Sequence, residues 1–162
     1  MNIALVAHDA RKQELMDWVR FNINTLAEHN IYATGTTGKL ISNILPFETD
    51  PEYYHHFSED ELRPLKDKVT CLLSGPLGGD SQIGAMIAEG KIDVLIFFCD
   101  NLITQGHQQD VGALSRLASL YNIAFATNRT TADMILTSSL FNNPDYTRVK
   151  PEVIEKYKNR KL

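Results

Sequence analysis

Residues 93–98 read Asp-Val-Leu-Ile-Phe-Phe, an apolar run without the alternation of polar and apolar residues that a half-exposed strand would show. An uninterrupted run of this length, rich in branched and aromatic residues, is typical of a β-strand covered on both faces. Four further runs share this character, at residues 2–7 (NIALVA), 31–34 (IYAT), 69–73 (VTCLL) and 123–127 (IAFAT). The sequence therefore predicts five strands, most of them buried on both sides.

Longer amphipathic stretches separate these runs. They predict helices at residues 11–29, 36–45, 79–89, 110–121 and 131–139. In the first of them, Leu15, Met16 and Val19 form an apolar stripe at helical spacing. Repeated alternation of strand and helix indicates a parallel sheet with helices on both faces. We therefore expect a three-layer α/β fold around a five-stranded parallel sheet, of the Rossmann or flavodoxin type.

The size of the chain fits one domain. Its 162 residues, 43% of them hydrophobic and 22% charged, can build a continuous core without metal or disulfide staples. We expect a single domain over residues 1–162, with a surface insertion at about residues 46–68, where an acidic, aromatic and proline-containing segment interrupts the alternation. Within it, Ser58 and Glu61 have the spacing of a capping box, which predicts a short helix.

Composition also limits the partners and the location. A formal net charge of -4 indicates neither a nucleic acid nor an anionic membrane as partner. No apolar stretch reaches the length of a membrane span and no basic-then-apolar leader precedes the first strand, so we expect a cytoplasmic protein.

Cys71 and Cys99 lie in or beside apolar runs and are expected to be buried, reduced thiols. The adjacent His55 and His56 lack the spacing of a helical metal pair, so no metal site is predicted.

Phosphate-binding features follow two of the predicted strands. In an open parallel sheet, ligands bind beyond the carboxyl ends of the strands. The segment TGTTG at residues 34–38 combines glycines, threonine hydroxyls and a helix N-terminus, and Ser74-Gly75 adds another hydroxyl and amide. The residues of the predicted phosphate site are Lys12, Thr34, Gly35, Thr36, Thr37, Ser74 and Gly75. The alternative is that the threonines and glycines only cap a helix and that Lys12 is solvated.

Acidic and imidazole side chains occur at the same strand ends. The candidates are His8, Asp9, Asp80, Asp100, His107 and Asp110. Four aspartates at one edge would be costly unless they share protons or serve a reaction. Asp80 follows Gly-Gly and suits a helix N-cap as well as a base. His8 ends a buried strand and fits a hydrogen-bonded residue at the edge of the core or a ligand contact, whereas His107 lies in a polar loop where a surface residue is the alternative.

In chain order, these segments resemble the motifs of methylglyoxal synthases. They are ALVAHD with Lys12, YATGTTG, SGPLGGD, GKIDVLIFF followed by Asp100, His107 with Asp110, and ATN. The resemblance covers about residues 2–45 and 69–140. It implies that the chain converts dihydroxyacetone phosphate to methylglyoxal and inorganic phosphate through an enediolate.

The resemblance also implies roles for the candidate residues. Lys12, Thr34, Thr36, Thr37, Ser74 and the Gly75 amide would hold the phosphate, Asp80 would be the catalytic base, and His107 would contact the carbonyl or enediolate. His8, Asp9, Asp100 and Asp110 would order these groups or share protons with them. It further implies a homohexamer without metal or organic cofactor, inhibited by phosphate, in which a C-terminal arginine, Arg148 or Arg160, reaches a neighbouring site.

A binding module is the alternative function, because the same fold serves as a regulatory ligand-binding domain in carbamoyl phosphate synthetase and as a cyclohydrolase domain in purine synthesis. Such a module would have no reason to keep Asp80, His107 and Asp110 together. The sequence therefore favours the enzyme.

Overall fold

A single parallel sheet organises the chain. The computed structural model describes residues 1–44, 58–100, 102 and 108–160, the last range without the side chains of 108–110. The strands are β1 (Asn2–Ala7), β2 (Asn30–Ala33), β3 (Val69–Cys71), β4 (Val94–Phe98) and β5 (Ala124–Ala126). Their order in the sheet is β3-β2-β1-β4-β5, and each neighbouring pair is parallel. The predicted five-stranded parallel sheet is confirmed.

Helices fill the connections between strands, as the alternating pattern predicts. In chain order they are α1 (Lys12–Phe21), α2 (Ile23–Leu26), α3 (Gly35–Ser42), α4 (Glu59–Lys66), α5 (Gly79–Ala88), α6 (Gln108–Leu120), α7 (Arg129–Leu136) and α8 (Glu152–Lys158). Short 3-10 turns at Asp9–Arg11 and Gly75–Leu77 precede α1 and α5.

Two hydrophobic clusters cover the two faces of the sheet. Along β1, Ile3 and Leu5 belong to one cluster, while Ala4 and Val6 belong to the other, because successive residues of a strand point to opposite faces. The first cluster also holds buried residues of α1, α2, α3, α4 and α7, and the second those of α5 and α6. The three-layer architecture with helices on both faces is therefore confirmed.

The helix predicted over residues 11–29 is wrong in its continuity. It divides at Asn22, which has a φ of −107° and a ψ of 18° and separates α1 from α2. The Asn22 side chain donates to the carbonyl of Trp18 at 2.9 Å, and short polar side chains of this kind compete with helix continuation.

The expected burial of Cys71 is also wrong. Cys71 is exposed, whereas Cys99 is buried as expected, and both are free thiols. The reason is topological: β3 is an edge strand of only three residues, and its Thr70 and Cys71 face solvent.

The helix predicted at Ser58 is confirmed. The Ser58 side chain accepts from the Glu61 amide, and the Glu61 carboxylate accepts from the Ser58 amide, which completes a capping box at the start of α4. Leu62 and Leu65 of α4 are buried in the first cluster. Residues 46–57 of the predicted insertion, with His55 and His56, lie outside the described residues.

The C-terminal segment crosses the edge of the sheet where the strands begin. Asn122 donates to the carbonyl of Val149 at 3.0 Å, and Arg148 donates to the carbonyl of Ile92 at 3.3 Å. Over the described ranges, none of the helices is both long and apolar enough to serve as a membrane span.

Candidate active site

A cavity of about 290 Å³ opens at the carboxyl ends of β1, β2 and β3. Its lining is Val6, Ala7, His8, Asp9, Lys12, Thr34, Thr36, Thr37, Ser74, Gly75, Pro76, Asp80 and Phe97. Nine of the thirteen candidate residues therefore meet in one place. Gly35 and Asp100 are not part of this lining. His107 lies outside the described residues, and so does the side chain of Asp110, whose backbone belongs to α6.

Four lining residues, Val6, Ala7, Pro76 and Phe97, are apolar and were not among the candidates. Val6 and Phe97 are paired in the register of β1 and β4, so they lie side by side on one face of the sheet. Strand alternation predicts which residues of each strand share a face. It identifies Val6 and Phe97 as neighbours only once the pairing of β1 with β4 is known. These residues supply the apolar wall on which the carbon atoms of a small substrate could rest.

The TGTTG segment at residues 34–38, called the threonine loop here, lies at the start of α3. Thr34 occupies the N-cap position with an extended backbone, but its side chain makes no capping hydrogen bond. Thr37, one turn later, is 2% exposed, and its Oγ1 has no hydrogen-bond partner among the described residues. A buried hydroxyl without a partner is costly, and an anion in the cavity would accept its hydrogen bond. The geometry favours phosphate binding over simple capping for this loop.

The threonine loop is in direct contact with Ser74-Gly75, the serine loop, which follows β3. Gly35 donates its amide to the carbonyl of Leu73 at 3.0 Å. A Cβ placed on Gly35 would lie 2.7 Å from the Cα of Ser74, so only glycine allows the two loops to approach so closely. Gly35 thus brings the donors of β2 and β3 together without lining the cavity itself.

Asp80 lies in the first turn of α5. The N-cap of this helix is Gly78, which has a φ of +102°. The alternative that Asp80 is the N-cap residue is therefore wrong. Its side chain is half-buried and reaches the cavity lining. A Cβ placed on Gly75 would lie 2.7 Å from Asp80 Oδ2, so the base candidate lies directly against the serine loop.

Asp9 and Lys12 form an ion pair across one turn at the mouth of the cavity. The side chain of Asp9 is 88% exposed and that of Lys12 is 20% exposed. The hydrogen bond and the charge of Lys12 hold the pKa of Asp9 below its ordinary value. Asp9 is therefore ionised and paired with Lys12. The charge of Lys12 offsets that of Asp9, so Asp9 adds less repulsion to the other carboxylates than an unpaired aspartate would.

His8 and Asp100 are joined across the ends of β1 and β4. The backbone amide of Asp100 donates to His8 Nδ1 at 2.8 Å. The Asp100 carboxylate accepts from the Leu102 amide at 3.0 Å and does not line the cavity. Among the described residues, then, the structure brings Asp9 and Asp80 to the cavity but not the carboxylate of Asp100.

The two candidate arginines have different surroundings. The guanidinium of Arg148 lies 3.8 Å from the carboxylate of Asp93, at the opposite edge of the sheet from the cavity. Arg160 stacks on the ring of Tyr157 with 3.8 Å between guanidinium carbon and ring centroid, and is exposed.

Within the described ranges, no group of three or more His, Cys, Asp or Glu side chains could hold a metal ion.

Comparisons with known proteins place the chain among related sequences. A family model described as the MGS-like domain matches residues 14–127. The methylglyoxal synthase of Maridesulfovibrio salexigens is 47% identical over 161 residues, covering 99% of this chain and 97% of the relative. That of Pectobacterium atrosepticum is 49% identical over 143 residues, covering 88% and 81%. The crystal structure of methylglyoxal synthase from Elizabethkingia anophelis NUHP1 superposes with a TM-score of 0.78 at 39% identity, covering 99% of this chain and 91% of that one.

Proposed function

The chain belongs to the methylglyoxal synthase family, and we propose that it converts dihydroxyacetone phosphate to methylglyoxal and inorganic phosphate in the cavity beyond β1, β2 and β3. It is a carbon–oxygen lyase that acts on a phosphate ester. The observation that carries this proposal is the meeting of a half-buried carboxylate, Asp80, with a set of phosphate donors in one cavity. No metal or organic cofactor takes part in the proposed reaction.

The phosphate donors are Lys12, Thr34, Thr36, Thr37, Ser74 and the Gly75 amide. Their side chains and the Gly75 backbone belong to residues of the cavity lining, to which the N-terminus of α3 adds a positive potential. The buried Thr37 hydroxyl supports this assignment, because a phosphate oxygen supplies the acceptor that the described residues do not. Lys12 turns from Asp9 toward the dianion when the substrate enters.

Asp80 is the proposed base of the first step. It takes a proton from the hydroxymethyl carbon, and the electron pair of the broken C–H bond moves onto the carbonyl oxygen to give an enediolate. A hydrogen-bond donor must stabilise the charge that develops on that oxygen. The resemblance to the family assigns this role to His107, which lies outside the described residues, with Asp110 three residues later.

Phosphate departs in the second step. The hydroxyl on the deprotonated carbon gives up its proton and becomes a carbonyl, the carbon–carbon π pair shifts toward the methylene carbon, and phosphate leaves with the bonding pair of the broken carbon–oxygen bond and takes that proton. The enolate that remains takes up a proton on its methylene carbon to become methylglyoxal. Elimination requires the breaking bond to stand perpendicular to the enediolate plane, so that it overlaps with the π system. A bond held in that plane would lead instead to isomerisation, the outcome of triosephosphate isomerase. The threonine loop is proposed to impose the perpendicular pose.

The assembly is proposed to be a homohexamer, located in the cytoplasm and inhibited by inorganic phosphate. Helix α8 supports an assembly, because none of its residues is buried and its Val153 and Tyr157 are exposed in the single chain. Arg160, at the end of α8, is the better placed of the two arginines to reach a neighbouring site, since Arg148 binds backbone and carboxylate groups of its own chain.

Product analysis tests the proposed function. The purified protein, treated with chelator, is incubated with dihydroxyacetone phosphate, and methylglyoxal and phosphate are both quantified. Equal amounts of the two products are expected. Formation of glyceraldehyde 3-phosphate would show that the site removes the proton without aligning elimination. Absence of turnover, with phosphate still bound, would contradict the enzyme and favour the binding module.

A further inference from the structure

The backbone of Leu73 joins the threonine loop to α5. Leu73 follows β3 and immediately precedes the serine loop, Ser74-Gly75. Its carbonyl accepts from the amide of Gly35, in the threonine loop, at 3.0 Å. Its amide donates to the side-chain oxygen Oε1 of Gln82, in α5, at 2.8 Å. One residue is therefore bound both to a loop of the proposed phosphate site and to the helix that carries Asp80.

The place of Leu73 at the edge of the sheet explains why a side chain binds its amide. β3 is an edge strand, paired with β2 on one side. The Leu72 amide donates to the carbonyl of Ala33, at the end of β2, at 2.8 Å. The next amide, that of Leu73, is bound instead by Oε1 of Gln82, which takes the place of the carbonyl that a further strand would supply.

The first turn of α5 packs directly on the same segment. A Cβ placed on Gly79 would lie 2.0 Å from the carbonyl oxygen of Leu73, so only glycine allows this approach. The Gly79 amide also donates to the carbonyl of Ser74 at 3.0 Å. Helix α5 thus contacts the start of the serine loop through its own backbone and, one turn later, through the side chain of Gln82.

Gln82 acts from outside the cavity. It is exposed and does not belong to the cavity lining. It lies two residues after Asp80 on α5, which corresponds to a rotation of about 200° around the helix axis, so the two side chains leave the helix on different sides. Any effect of Gln82 on the reaction must therefore pass through Leu73.

We propose that Gln82 is a positioning residue: by holding the Leu73 amide, it fixes the distance between the phosphate donors of the serine loop and the proposed base, Asp80. The inference rests on the proposed function of the cavity. Ser74 and Gly75 continue directly from Leu73, whereas Asp80 belongs to the helix that carries Gln82. Loss of the bond lets the loop and the helix shift relative to each other, while the main-chain contacts between them keep the site assembled.

Hydrogen exchange tests the contact in the free protein. Exchange of the Leu73 amide is followed by NMR in ¹⁵N-labelled protein. Gln82→Met keeps the length of the side chain but lacks the acceptor oxygen, so this amide should exchange about 10-fold faster than in the wild type. Gln82→Glu keeps an oxygen at the same distance from the helix and should exchange close to the wild-type rate. Equal exchange in all three proteins would overturn the proposal.

Turnover and phosphate inhibition test the positioning role. In Gln82→Met, kcat should fall about 10-fold, because the base and the bound substrate lose alignment. The inhibition constant for inorganic phosphate should change little, since the bond between Leu73 and Gly35 still holds the two phosphate loops together. Gln82→Glu should recover most of the lost kcat. A purely structural role would lower the melting temperature and leave the kcat of the folded enzyme unchanged, and that result would contradict the proposal, as would equal losses of kcat in the two variants.

Gln13→Met is the matched control. Gln13 is also an exposed glutamine on a helix, but its side chain donates to Asp17 of the same helix at 3.0 Å. This variant should keep the wild-type kcat, and a loss equal to that of Gln82→Met would overturn the assignment. A wild-type protein without turnover would contradict the proposed function and with it the role of Gln82 in the reaction, whereas the contact with Leu73 is judged by hydrogen exchange alone.

Discussion

At the scale of single residues, Gly75 and Asp80 are in contact across the turn that leads into α5. The missing side chain of Gly75 leaves room for the Asp80 carboxylate, since a Cβ there would lie 2.7 Å from Oδ2 and 3.5 Å from Cγ. The residue proposed to offer its amide to phosphate thus also limits where the base can lie. The distance between the proposed phosphate site and Asp80 is then determined by one short turn of backbone.

Gly75→Ala should displace the Asp80 carboxylate while leaving the Gly75 amide in place. We expect kcat to fall by about 10-fold to 10²-fold, because a base moved by about 1 Å loses alignment with the proton it removes. The inhibition constant for inorganic phosphate should change little. Steady-state kinetics with phosphate as inhibitor measures both.

Gly112→Ala is the matched control, since among the described residues nothing lies within 4 Å of a Cβ placed at Gly112. It should leave kcat unchanged, and in a helix interior alanine is preferred to glycine. Wild-type kcat in Gly75→Ala would mean that the contact does not position Asp80.

The identity of the candidate residues could be predicted from the sequence, but their geometry could not. Lys12, Thr37 and Asp80 are chemically suited to phosphate and proton transfer, and their positions after apolar runs predict a common edge. The ion pair of Asp9 with Lys12 and the main-chain contact of Asp100 with His8 depend on rotamers and strand register. No residue pattern in the chain specifies these.

At the scale of elements, α1 and α7 are joined by a partly buried hydrogen bond. The indole Nε1 of Trp18 donates to Asp133 Oδ1 at 2.8 Å, and Trp18 is 0% exposed. Arg129 lies 3.9 Å from the other carboxylate oxygen. A buried indole N–H that lost this acceptor would remain without compensation.

Asp133→Ala should therefore lower the free energy of unfolding by about 1–3 kcal/mol. Urea unfolding can be followed by the fluorescence of Trp18, the one tryptophan of the chain. Asp133→Asn keeps an acceptor for the indole and should recover most of the loss. A variant Asp133→Ala as stable as the wild type would show that water replaces the carboxylate.

The two cysteines differ in exposure, because Cys71 lies on the edge strand β3 and Cys99 follows the interior strand β4. Cys71 on β3 is exposed, whereas burial raises the pKa of the Cys99 thiol to about 11. Iodoacetamide at pH 8 should therefore label Cys71 and leave Cys99 unmodified in the folded protein, because the thiolate is the reactive form. Mass spectrometry of peptides identifies the labelled residue, and labelling of both in denaturant is the control. Rapid labelling of Cys99 without denaturant would contradict its burial.

Element types were predictable because long apolar and amphipathic patterns are strong signals, and five strands with intervening helices follow from them. Which strand lies at an edge is a property of the topology, so the exposure of Cys71 could not be predicted from an apolar sequence alone. The break at Asn22 depends on one side chain bonding to the backbone of Trp18, which periodicity does not detect.

At the scale of the whole molecule, a buried histidine links stability to pH. His29 is 7% exposed, packs against the ring of Phe141, and lies 3.2 Å from the amino terminus of Met1. Burial, the charge of the amino terminus and that of Lys68 hold its pKa below the ordinary value of 6.5, while Glu28 acts in the opposite direction. The folded protein therefore favours neutral His29.

Since the unfolded chain binds the proton more readily, the contribution of His29 to stability is complete above pH 6.5 and decreases as pH falls toward its lower folded pKa. We expect the melting temperature to fall between pH 7.5 and pH 5.5, and to fall less in His29→Gln. Differential scanning fluorimetry at matched ionic strength measures the difference. An equal fall in both proteins would assign the dependence to other groups.

The order of the sheet assembles the site. Because β2 lies beside both β1 and β3, Lys12, the threonine loop and the serine loop line one cavity, while β4 brings Phe97 and Asp100 beside His8. The pairing of β2 with β3 brings the threonine loop and the serine loop side by side.

The central claim is that Asp80 removes the proton that starts phosphate elimination, and its most direct test is the turnover of dihydroxyacetone phosphate by Asp80→Asn. Asparagine keeps the size of the side chain but cannot accept the proton. We predict that kcat falls by about 10²-fold to 10⁴-fold while inhibition by inorganic phosphate is retained. Turnover of Asp80→Asn near the wild-type rate would contradict the account.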